Sequence, residues 1–508
     1  MKETKIQHTY VMPFLCKSEE EGGLGYREVS HNIVSSDLFI PSVLAEFVKN
    51  NVTEKVWNKF MHKFGDEETL ENALKDAVKK RMMDFQNVAI FLNQNKTMSF
   101  EGEKIPLFFV SGTELKGDEE FEKNIFCAVE ESSHTINYND EKVYTVRPDI
   151  TFFVNGIFIG YMELKTLQQG QSAAVHGRNK VISDYLSTIH RMAQMEKSGS
   201  KVMDDRKELL AIYEKAIHLT ASDCNETYVM RGISQFFDMV KPEFQKEPPV
   251  SIEAFKEEML KVFKDYPLSD YNLSENDRFH EVMTALYSKK MIEKEIRYYN
   301  FIEYKYVQVE RVVKGKKINV KERTTNRGFL ISPRPKQKFG CDKIMGRIVE
   351  MLRHEKEPNY YNDLLREELK VLGVPPERIE EVLLKREEYC NNKYVYSLLM
   401  QYAAGFGKSN IIGWTALQLK DFRYYDEFAY DKILIVVDRV QLRGQLDTMM
   451  YNMNINNAMF TEATDQDTFM EALDDKKRII VVNIQKFLDL QDALTKAHKK
   501  LKEMRVAF

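Results

Sequence analysis

Cysteine is scarce in this sequence, and no two cysteines are spaced as metal or disulfide partners. Five cysteines are spread over 508 residues without a Cys-x-x-Cys pair. They are Cys16, Cys127, Cys224, Cys341 and Cys390. Structural zinc sites and the disulfide frameworks of small secreted domains both need clustered cysteines. The sequence therefore predicts neither, and it fits a protein of the reducing cytoplasm.

Long hydrophobic runs are missing as well. No segment approaches the roughly 18 apolar residues that a membrane-spanning helix needs. The N-terminal stretch MKETKIQHTY has no apolar signal core, so export is not expected. There is no excess of basic residues either, because the formal net charge is −4. A surface that binds nucleic acid would have to come from local clusters of lysine and arginine.

Most of the candidate chemistry lies in the stretch VRPDITFFVNGIFIGYMELK, residues 146–165. Two apolar runs flank an Asn-Gly pair, which is the strongest short-range signal for a β-hairpin. Asp149, Glu163 and Lys165 lie near the open end of the predicted hairpin. Glu163 and Lys165 are two residues apart on one strand, so their side chains point to the same face.

The hairpin loop decides whether the two carboxylates share a face. A two-residue turn would place Asp149 opposite Met162, on the face away from Glu163. A three-residue loop with Gly156 at a bulge would place Asp149 on the face of Glu163. We predict this bulged loop, or a bulge close to Asp149, because charges on strands this apolar are costly unless they are paired or bound to a metal.

The three charged residues suit a metal site. Mg²⁺ keeps several waters and takes only one or two carboxylate ligands. The ion lowers the pKa of water and stabilises the charge that develops on a phosphodiester. We predict that Asp149 and Glu163 bind the metal, and that Lys165 holds the attacking water and stabilises the phosphate oxygens. The alternative is an aspartate at a strand end beside a buried Glu–Lys ion pair, and the spacing alone favours neither.

Pro148 directly before Asp149, together with Glu163 and Lys165, resembles the PD-(D/E)xK nuclease motif. The longer string RPDITFFVNGIFIGYMELK resembles the nuclease segment of the restriction (motor) subunit of type I restriction endonucleases. The resemblance implies a PD-(D/E)xK nuclease domain, built from a mixed sheet with flanking helices. It also implies that Asp149, Glu163 and Lys165 are catalytic and that Mg²⁺ is the cofactor.

The polar stretch after the hairpin holds further candidates for DNA contact. Many nucleases of this type carry Gln-x-x-x-Tyr on the following helix; here Tyr185 is the candidate tyrosine, but Val181 stands where the glutamine would be. Other polar side chains could contact a phosphate backbone, although a solvated loop is the commoner explanation for any one of them. These residues are Gln168, Gln171, His176, Arg178 and Lys180.

A second candidate site is a phosphate-binding loop. Residues 394–400 predict a buried strand that leads through QYAAGFGKS into a helix. Gly405 and Gly407 would let backbone N–H groups approach the phosphates of ATP. Lys408 would reach the β- and γ-phosphates, and Ser409 would bind Mg²⁺. The loop departs from the GxxxxGK[ST] pattern, because a tyrosine occupies the first glycine position.

Two more apolar runs, residues 432–437 and 478–482, predict buried strands that alternate with helices, as in a parallel sheet. With the phosphate-binding loop, they resemble superfamily 2 helicase motifs of the same restriction subunit. The resemblance implies a RecA-like ATPase domain in which Gln337 reads adenine and Arg439 contacts the DNA backbone. A salt bridge at the strand end explains Arg439 equally well.

The chain has room for about three domains, and the fold class that we predict is α/β. We expect an endonuclease domain at residues 1–245, a connecting helical and β-hairpin region at 246–330, and an incomplete first RecA-like domain at 331–508. The charged segment 196–295 is predicted to be helical, and 301–331 to form a basic hairpin. The sequence ends before the DEAH-type box of the family, so we expect a fragment without useful ATP hydrolysis.

The resemblance implies a restriction subunit of a type I restriction–modification system. Such a subunit cleaves foreign double-stranded DNA with Mg²⁺, translocates it with ATP, and works with methyltransferase (modification) and specificity subunits. One alternative is a repair-type helicase–nuclease, which the nuclease-first domain order disfavours. The other is a catalytically silent piece that binds DNA or a partner. Convergence of Asp149, Glu163 and Lys165 would favour an enzyme over that silent piece.

Overall fold

The chain divides into two compact units. The first comprises Met1–Ser111 and Asp118–Pro335, and the second Gly112–Gly117 and Lys336–Phe508. The structure is a computed structural model. It describes residues 3–112, 119–132, 134–138, 141–177, 180–181, 215–230, 269–272, 279–313, 316–323, 328–354, 357, 359–390, 398–425, 427–437, 446, 448–453, 460–463, 466–483 and 504–507. The predicted domain boundary at residue 245 lies outside these ranges. The described residues of the predicted connecting region, 246–330, belong to the first unit.

Amphipathic helices cover the sheet of the first unit. A typical one begins at Asp66, whose side chain accepts a hydrogen bond from the Thr69 amide at 2.8 Å, and buries every fourth residue along one face. The described helices are α1 (Glu3–Ile6), α2 (Met12–Cys16), α3 (Pro41–Asn51), α4 (Glu54–Phe64), α5 (Glu67–Met82), α6 (Val88–Gln94), α7 (Phe279–Tyr287) and α8 (Lys289–Lys294).

A seven-stranded mixed sheet forms the centre of this unit, in the order β1-β4-β7-β8-β9-β10-β11. The strands β1 and β4 are parallel, as are β8 and β9, and the other neighbours are antiparallel. The strands are β1 (Arg27–Glu28), β2 (Thr97–Phe100), β3 (Glu103–Pro106), β4 (Phe126–Glu130), β5 (His134–Tyr138), β6 (Glu141–Val146), β7 (Ile150–Val154), β8 (Ile157–Leu164), β9 (His218–Ser222), β10 (Glu226–Met230) and β11 (Ser269–Asn272). The pairs β2–β3 and β5–β6 are separate, and the predicted α/β class is confirmed.

The predicted hairpin is the centre of the core. Every residue of β7 and β8 is buried, and on one face Tyr287 of α7 stacks on Phe152 with ring centroids 4.0 Å apart. The turn itself is buried too. Asn155 and Gly156 have φ values of 50° and 77°, which suits a two-residue hairpin turn. A Cβ on Gly156 would lie 2.4 Å from the Ile40 carbonyl oxygen, so only glycine fits against the start of α3.

The prediction that residues 196–295 are helical is wrong for three described segments, which are the strands β9, β10 and β11. The strand β9 is difficult to predict from the sequence, because its His, Thr and Ser residues do not fit the apolar pattern of a buried strand. All five residues are nonetheless buried. Their hydroxyls find partners: Thr220 Oγ1 donates to the Tyr161 carbonyl at 3.0 Å, and the Ser222 and Thr227 hydroxyls lie 2.8 Å apart.

The first unit also contains the hairpin predicted within residues 301–331. Its long strands are β13 (Tyr306–Val313) and β14 (Lys316–Arg323), which pair antiparallel. Two short strands, β12 (Phe301–Glu303) and β15 (Phe329–Ile331), pair with each other before and after it. The predicted hairpin is thus confirmed.

The second unit is a parallel sheet with helices. Its helices are α9 (Pro335–Arg353), α10 (Tyr360–Val371), α11 (Pro376–Cys390), α12 (Lys408–Asp421) and α13 (Gln466–Asp474). Its strands are β16 (Arg423–Tyr424), β17 (Glu427–Phe428), β18 (Lys432–Val437), β19 (Phe460–Ala463), β20 (Ile479–Asn483) and β21 (Val506–Ala507). The strands β19, β20, β18 and β21 form one parallel sheet in that order, so the predicted parallel arrangement is confirmed.

The buried strand predicted at residues 394–400 is not present in its described part, residues 398–400. Of residues 394–400, the first four lie outside the described ranges. The remaining three are irregular, and Leu399 is 94% exposed, so a buried strand is wrong there.

Across both units, the described helices include none with the length and apolarity needed to cross a membrane.

Candidate active site and nucleotide-binding loop

The register of β7 and β8 brings the two motif carboxylates to the same place. Ile150 pairs with Met162, so the preceding residue, Asp149, comes opposite Glu163. The predicted three-residue loop is wrong, because the turn is a two-residue Asn-Gly turn. The bulge lies within β8 instead, at Ile159, and not at the loop or close to Asp149. It has the same effect as the predicted bulge, since one extra residue moves Asp149 to the face of Glu163.

A close approach of β9 accounts for the position of this bulge. Gly160 follows the extra residue and pairs with His218 of β9. A Cβ on Gly160 would lie 2.2 Å from the His218 carbonyl oxygen, so the two backbones touch here and leave no room for a side chain. Glycine in a strand interior commonly marks such an approach. The contact between Gly160 and β9 therefore helps to set the register on which the site depends.

Backbone contacts hold Asp149 at the end of β7. Its Oδ2 accepts a hydrogen bond from the Leu164 amide at 2.5 Å, which ties it to the strand that carries Glu163. Its carbonyl oxygen accepts hydrogen bonds from the side chain of Gln7 at 3.0 Å and from the Glu131 amide at 2.9 Å. Because both its main chain and its carboxylate are tethered, Asp149 has little freedom to leave the site.

Glu163 is the most enclosed member of the group, with 2% of its side chain exposed. The ammonium group of Lys165 donates to Glu163 Oε1 at 2.6 Å and to the Leu164 carbonyl at 2.6 Å. A second ammonium group, that of Lys180, donates to both carboxylate oxygens of Glu163 at 2.7 Å. A buried carboxylate is costly without such partners. All three motif side chains therefore converge, as the metal-site interpretation requires.

The proximity of the carboxylates changes the acidity of Asp149. Burial, and then the negative charge of Glu163, raise the pKa of Asp149 from 3.8 to about 7. The Leu164 amide and the charges of Lys165 and Lys180 act in the opposite direction. Asp149 is therefore only partly ionised at neutral pH in the protein alone. A divalent cation beside it would favour the ionised form.

The donor set fits Mg²⁺ better than a metal that needs a full cage of side chains. Within the described ranges, no three His, Cys, Asp or Glu side chains gather into a metal-binding group. Mg²⁺ needs no such group, since it is commonly held by one or two carboxylates and keeps its waters. Asp149 and Glu163 are the side chains that could hold it, with Lys165 next to them.

Lys180 is the member of the site whose role the sequence did not reveal. It was one of several candidates for phosphate contact, whereas the structure places it on Glu163. Val181, at the position of the expected glutamine, is 1% exposed and packs in the core. In the structure Gly177, three residues before Lys180, also lies close to the motif lysine, since a Cβ there would be 3.4 Å from Lys165 Cγ. Tyr185 lies outside the described residues.

The candidate phosphate-binding loop leads into the helix α12, and the predicted helix is thus confirmed. Gly407 caps the helix with φ of 83°, and Gly405 has φ of 75°, a conformation that glycine adopts without strain. Lys408 begins the helix, and its ammonium group donates to the carbonyl oxygens of Tyr402 and Ala403, both at 3.0 Å. The lysine thus folds back over its own loop. Because Ser409 follows in the first turn of α12, it lies beside Lys408 at the helix N-terminus.

Gln337 and the loop are in contact. Its Nε2 donates to the Phe406 carbonyl at 2.6 Å, and the side chain is 5% exposed on α9. Phe406 stacks on Tyr402 with ring centroids 4.5 Å apart and planes 6° from parallel. The structure therefore brings together the predicted nucleotide-binding residues Gln337, Gly405, Gly407, Lys408 and Ser409. Arg439 lies outside the described residues.

Comparison with known families matches both parts of the chain. Residues 46–195 match the model of the type I restriction enzyme R protein N terminus, and residues 398–507 match that of the SWI2/SNF2 ATPases. None of the curated proteins compared with the chain matches it. The first part of the chain is therefore similar to the R-protein N terminus, and the second part is similar to the SWI2/SNF2 ATPases. The predicted resemblance to the restriction subunit of type I restriction endonucleases is confirmed by these two matches.

Proposed function

We propose that the first unit is a metal-dependent DNA endonuclease of the PD-(D/E)xK type. The observation that carries the proposal is the bulged register of β7 and β8, which places Asp149 opposite Glu163. A purely structural ion pair would need Glu163 and a lysine, but it would not need a second carboxylate beside them. Burial and the neighbouring Glu163 together raise the pKa of Asp149, so its ionised form is disfavoured at neutral pH in the metal-free protein. Such an arrangement is expected where a cation is bound.

Each residue has a distinct task in this proposal. Asp149 and Glu163 hold Mg²⁺, which when bound neutralises charge on a phosphodiester and makes water a better nucleophile. Lys165 is held between Glu163 and a backbone carbonyl, so its ammonium group is fixed beside the metal ligands. From there it orients the attacking water and stabilises negative charge on the phosphate oxygens. The enclosed position of Glu163 strengthens these electrostatic interactions.

We propose that the second unit binds ATP through its loop. Gln337 would read the adenine, while the backbone at Gly405 and Gly407 and the ammonium group of Lys408 would contact the phosphates. Ser409 would bind the Mg²⁺ that accompanies the nucleotide. Lys408 must first leave the carbonyl groups that it contacts in the structure.

The two activities together suit the restriction of foreign DNA. In this proposal the protein is the restriction subunit of a type I system, translocates double-stranded DNA with ATP, and cleaves it with Mg²⁺. A specificity subunit would supply sequence recognition and a methyltransferase subunit the modification. Because DNA is also the substrate of repair helicase–nucleases, the family matches are what favours restriction.

The experiment is nicking of supercoiled plasmid with Mg²⁺ or Mn²⁺. We compare the wild-type chain with Asp149→Asn and Glu163→Gln, which keep the size of each side chain while removing its charge. The control is Asp76→Asn, on the exposed face of α5, where the side chain is 66% exposed. We expect nicking by the wild type and the control and none by the two site variants.

If the chain alone does not nick DNA, the same four proteins are assayed with ATP and the methyltransferase and specificity subunits. Activity that survives in Asp149→Asn and Glu163→Gln would show that the hairpin is not the active site. Inactivity of all four proteins in the complete system would leave the silent binding role as the better description of the first unit.

A further inference from the structure

Two lysines bind the same carboxylate from different environments. Lys165 is 8% exposed and contacts one oxygen of Glu163, and it also donates to a backbone carbonyl. Lys180 is 38% exposed and contacts both oxygens of Glu163 at 2.7 Å. Lys165 therefore approaches Glu163 from inside the protein, whereas Lys180 reaches it from the solvent side.

The contacts of Lys180 compete with those that a metal ion would make. A carboxylate binds a divalent cation through the same lone pairs with which it accepts hydrogen bonds. With both oxygens of Glu163 already bound to one ammonium group, a metal cannot coordinate Glu163 fully until that group moves. A partly exposed ammonium group can move into water without losing its solvation, but an enclosed one cannot.

The surroundings indicate which lysine would move. Lys165 has a second acceptor, the Leu164 carbonyl, so it stays anchored when Glu163 changes partner. For Lys180, by contrast, the hydrogen bonds seen among the described residues go to Glu163 only. Lys180 is partly exposed and, within the described part of the chain, donates to one carboxylate only, so it is held more weakly than Lys165.

We propose that Lys180 is a displaceable cation that occupies Glu163 until a divalent metal ion takes its place, while Lys165 remains on the carboxylate. This inference rests on the proposed function of Asp149 and Glu163 as metal ligands. Lys180 keeps the buried carboxylate neutralised in the metal-free protein, so the site folds without metal. It also lowers the apparent affinity for the metal, because binding includes the loss of its ion pair.

The first measurement is Mn²⁺ binding by isothermal titration calorimetry. The proteins are the wild type, Lys180→Met and Glu163→Gln, with Lys59→Met as the control. Lys59 is 53% exposed and is likewise paired with a glutamate, Glu103. Methionine keeps most of the length of lysine without its charge. Removing a partly exposed ion pair should tighten Mn²⁺ binding by about two- to fivefold in Lys180→Met. The control should bind like the wild type, and Glu163→Gln should lose the site.

The second measurement separates displacement from a general effect of charge. Lysine acetylation of the wild-type protein is followed by mass spectrometry while Mn²⁺ is added. Reactivity of Lys180 should rise several-fold and saturate over the same Mn²⁺ concentrations as the calorimetric binding curve, and Lys59 should not change. In Glu163→Gln, Lys180 should react quickly with or without Mn²⁺. This measurement needs no Lys180 variant, so a folding defect in Lys180→Met would not prevent the test.

The outcomes distinguish this inference from the function on which it rests. If Mn²⁺ binds in a manner that depends on Glu163 but the reactivity of Lys180 stays constant, the displacement is wrong and the proposed metal ligands stand. The same conclusion follows if Lys180→Met binds Mn²⁺ more tightly while the reactivity of Lys180 in the wild type stays constant. The loss of a positive charge would then explain the tighter binding without displacement. If no Mn²⁺ binding depends on Glu163, both proposals fail.

Discussion

Replacing Asp149 by asparagine tests the electrostatics of the site in the absence of catalysis. Asparagine has the same shape, and its side-chain oxygen can still accept the hydrogen bond from the Leu164 amide. It cannot ionise, however. In the wild type the pKa of Asp149 is raised to about 7 by burial and by the charge of Glu163, against 3.8 for an unperturbed aspartate. The variant therefore removes an unfavourable ionisation that the folded protein undergoes near neutral pH.

The direction of the effect follows from proton binding. Between pH 4 and 7 the folded protein holds a proton on Asp149 that the unfolded chain has lost. The wild type therefore becomes less stable as the pH rises through this window, and the variant does not. The full difference between the two pKa values corresponds to about 4 kcal/mol. Because Asp149 is only partly buried and water screens its charge, we expect the variant to be more stable by about 1–2 kcal/mol at pH 8.

Hydrogen exchange measured by mass spectrometry on peptides from β7 and β8 reports this stability locally. In EDTA at pH 8, protection in Asp149→Asn should exceed that of the wild type by about 5- to 30-fold. At pH 4 the two proteins should be equal. Adding Mg²⁺ at pH 8 should stabilise the wild type but leave the variant unchanged. A difference that is independent of pH, or a wild type that is more stable at pH 8 without metal, would refute the reasoning.

Three further substitutions, tested against two control variants, probe the packing and the loop. Gly160→Ala should destabilise the first unit by about 1–3 kcal/mol in urea unfolding, because its Cβ would meet a carbonyl oxygen of β9 at 2.2 Å. Gly346→Ala, with no atom within 4 Å of the new Cβ, should be neutral or stabilising, and equal effects would contradict this. Lys432→Met should destabilise the second unit by about 1–3 kcal/mol, because the ammonium group binds three carbonyl oxygens at the end of α13 at 2.5–2.9 Å. Lys408→Met should weaken binding of a fluorescent ATP analogue by about tenfold or more. Lys385→Met, at an exposed position, is the control for both lysine variants. If Lys432→Met or Lys408→Met behaved like this control, the prediction for that variant would be refuted.

Local sequence signals predicted the hairpin and the convergence of the site. The Asn-Gly pair specifies a turn through backbone conformation alone, and the two apolar runs specify strands that are buried on both faces. The requirement that charges on such strands be paired predicted that Asp149 and Glu163 share a face. The sequence did not place the bulge, because its position in β8 depends on where β9 touches Gly160.

The features that the sequence missed depend on contacts between distant segments. The strand β9 lies beside β8 although more than 50 residues separate them in the chain, and the hydroxyls of Thr220 and Ser222 find their partners only in the folded protein. Lys180 likewise binds Glu163 after a stretch that carries no regular periodicity. Residues 398–400 show the opposite case: their apolar character predicts a buried strand, but they are irregular and Leu399 is exposed. An apolar composition favours burial, but a strand also needs a partner strand, and composition does not show whether one is present.

The register of the hairpin is set at both ends, and this links the fold to the chemistry. At the closed end, the side chain of Asn155 accepts from the Ile125 amide at 2.7 Å and donates to the Leu107 carbonyl at 2.8 Å, so the turn cannot slide. At the open end, Asp149 is tied to the Leu164 amide. A slip of one residue would turn every side chain of one strand to the opposite face. The carboxylates would then separate, and a buried charge would lose its partners. The contacts that stabilise the core of the first unit are therefore the same contacts that assemble its candidate active site.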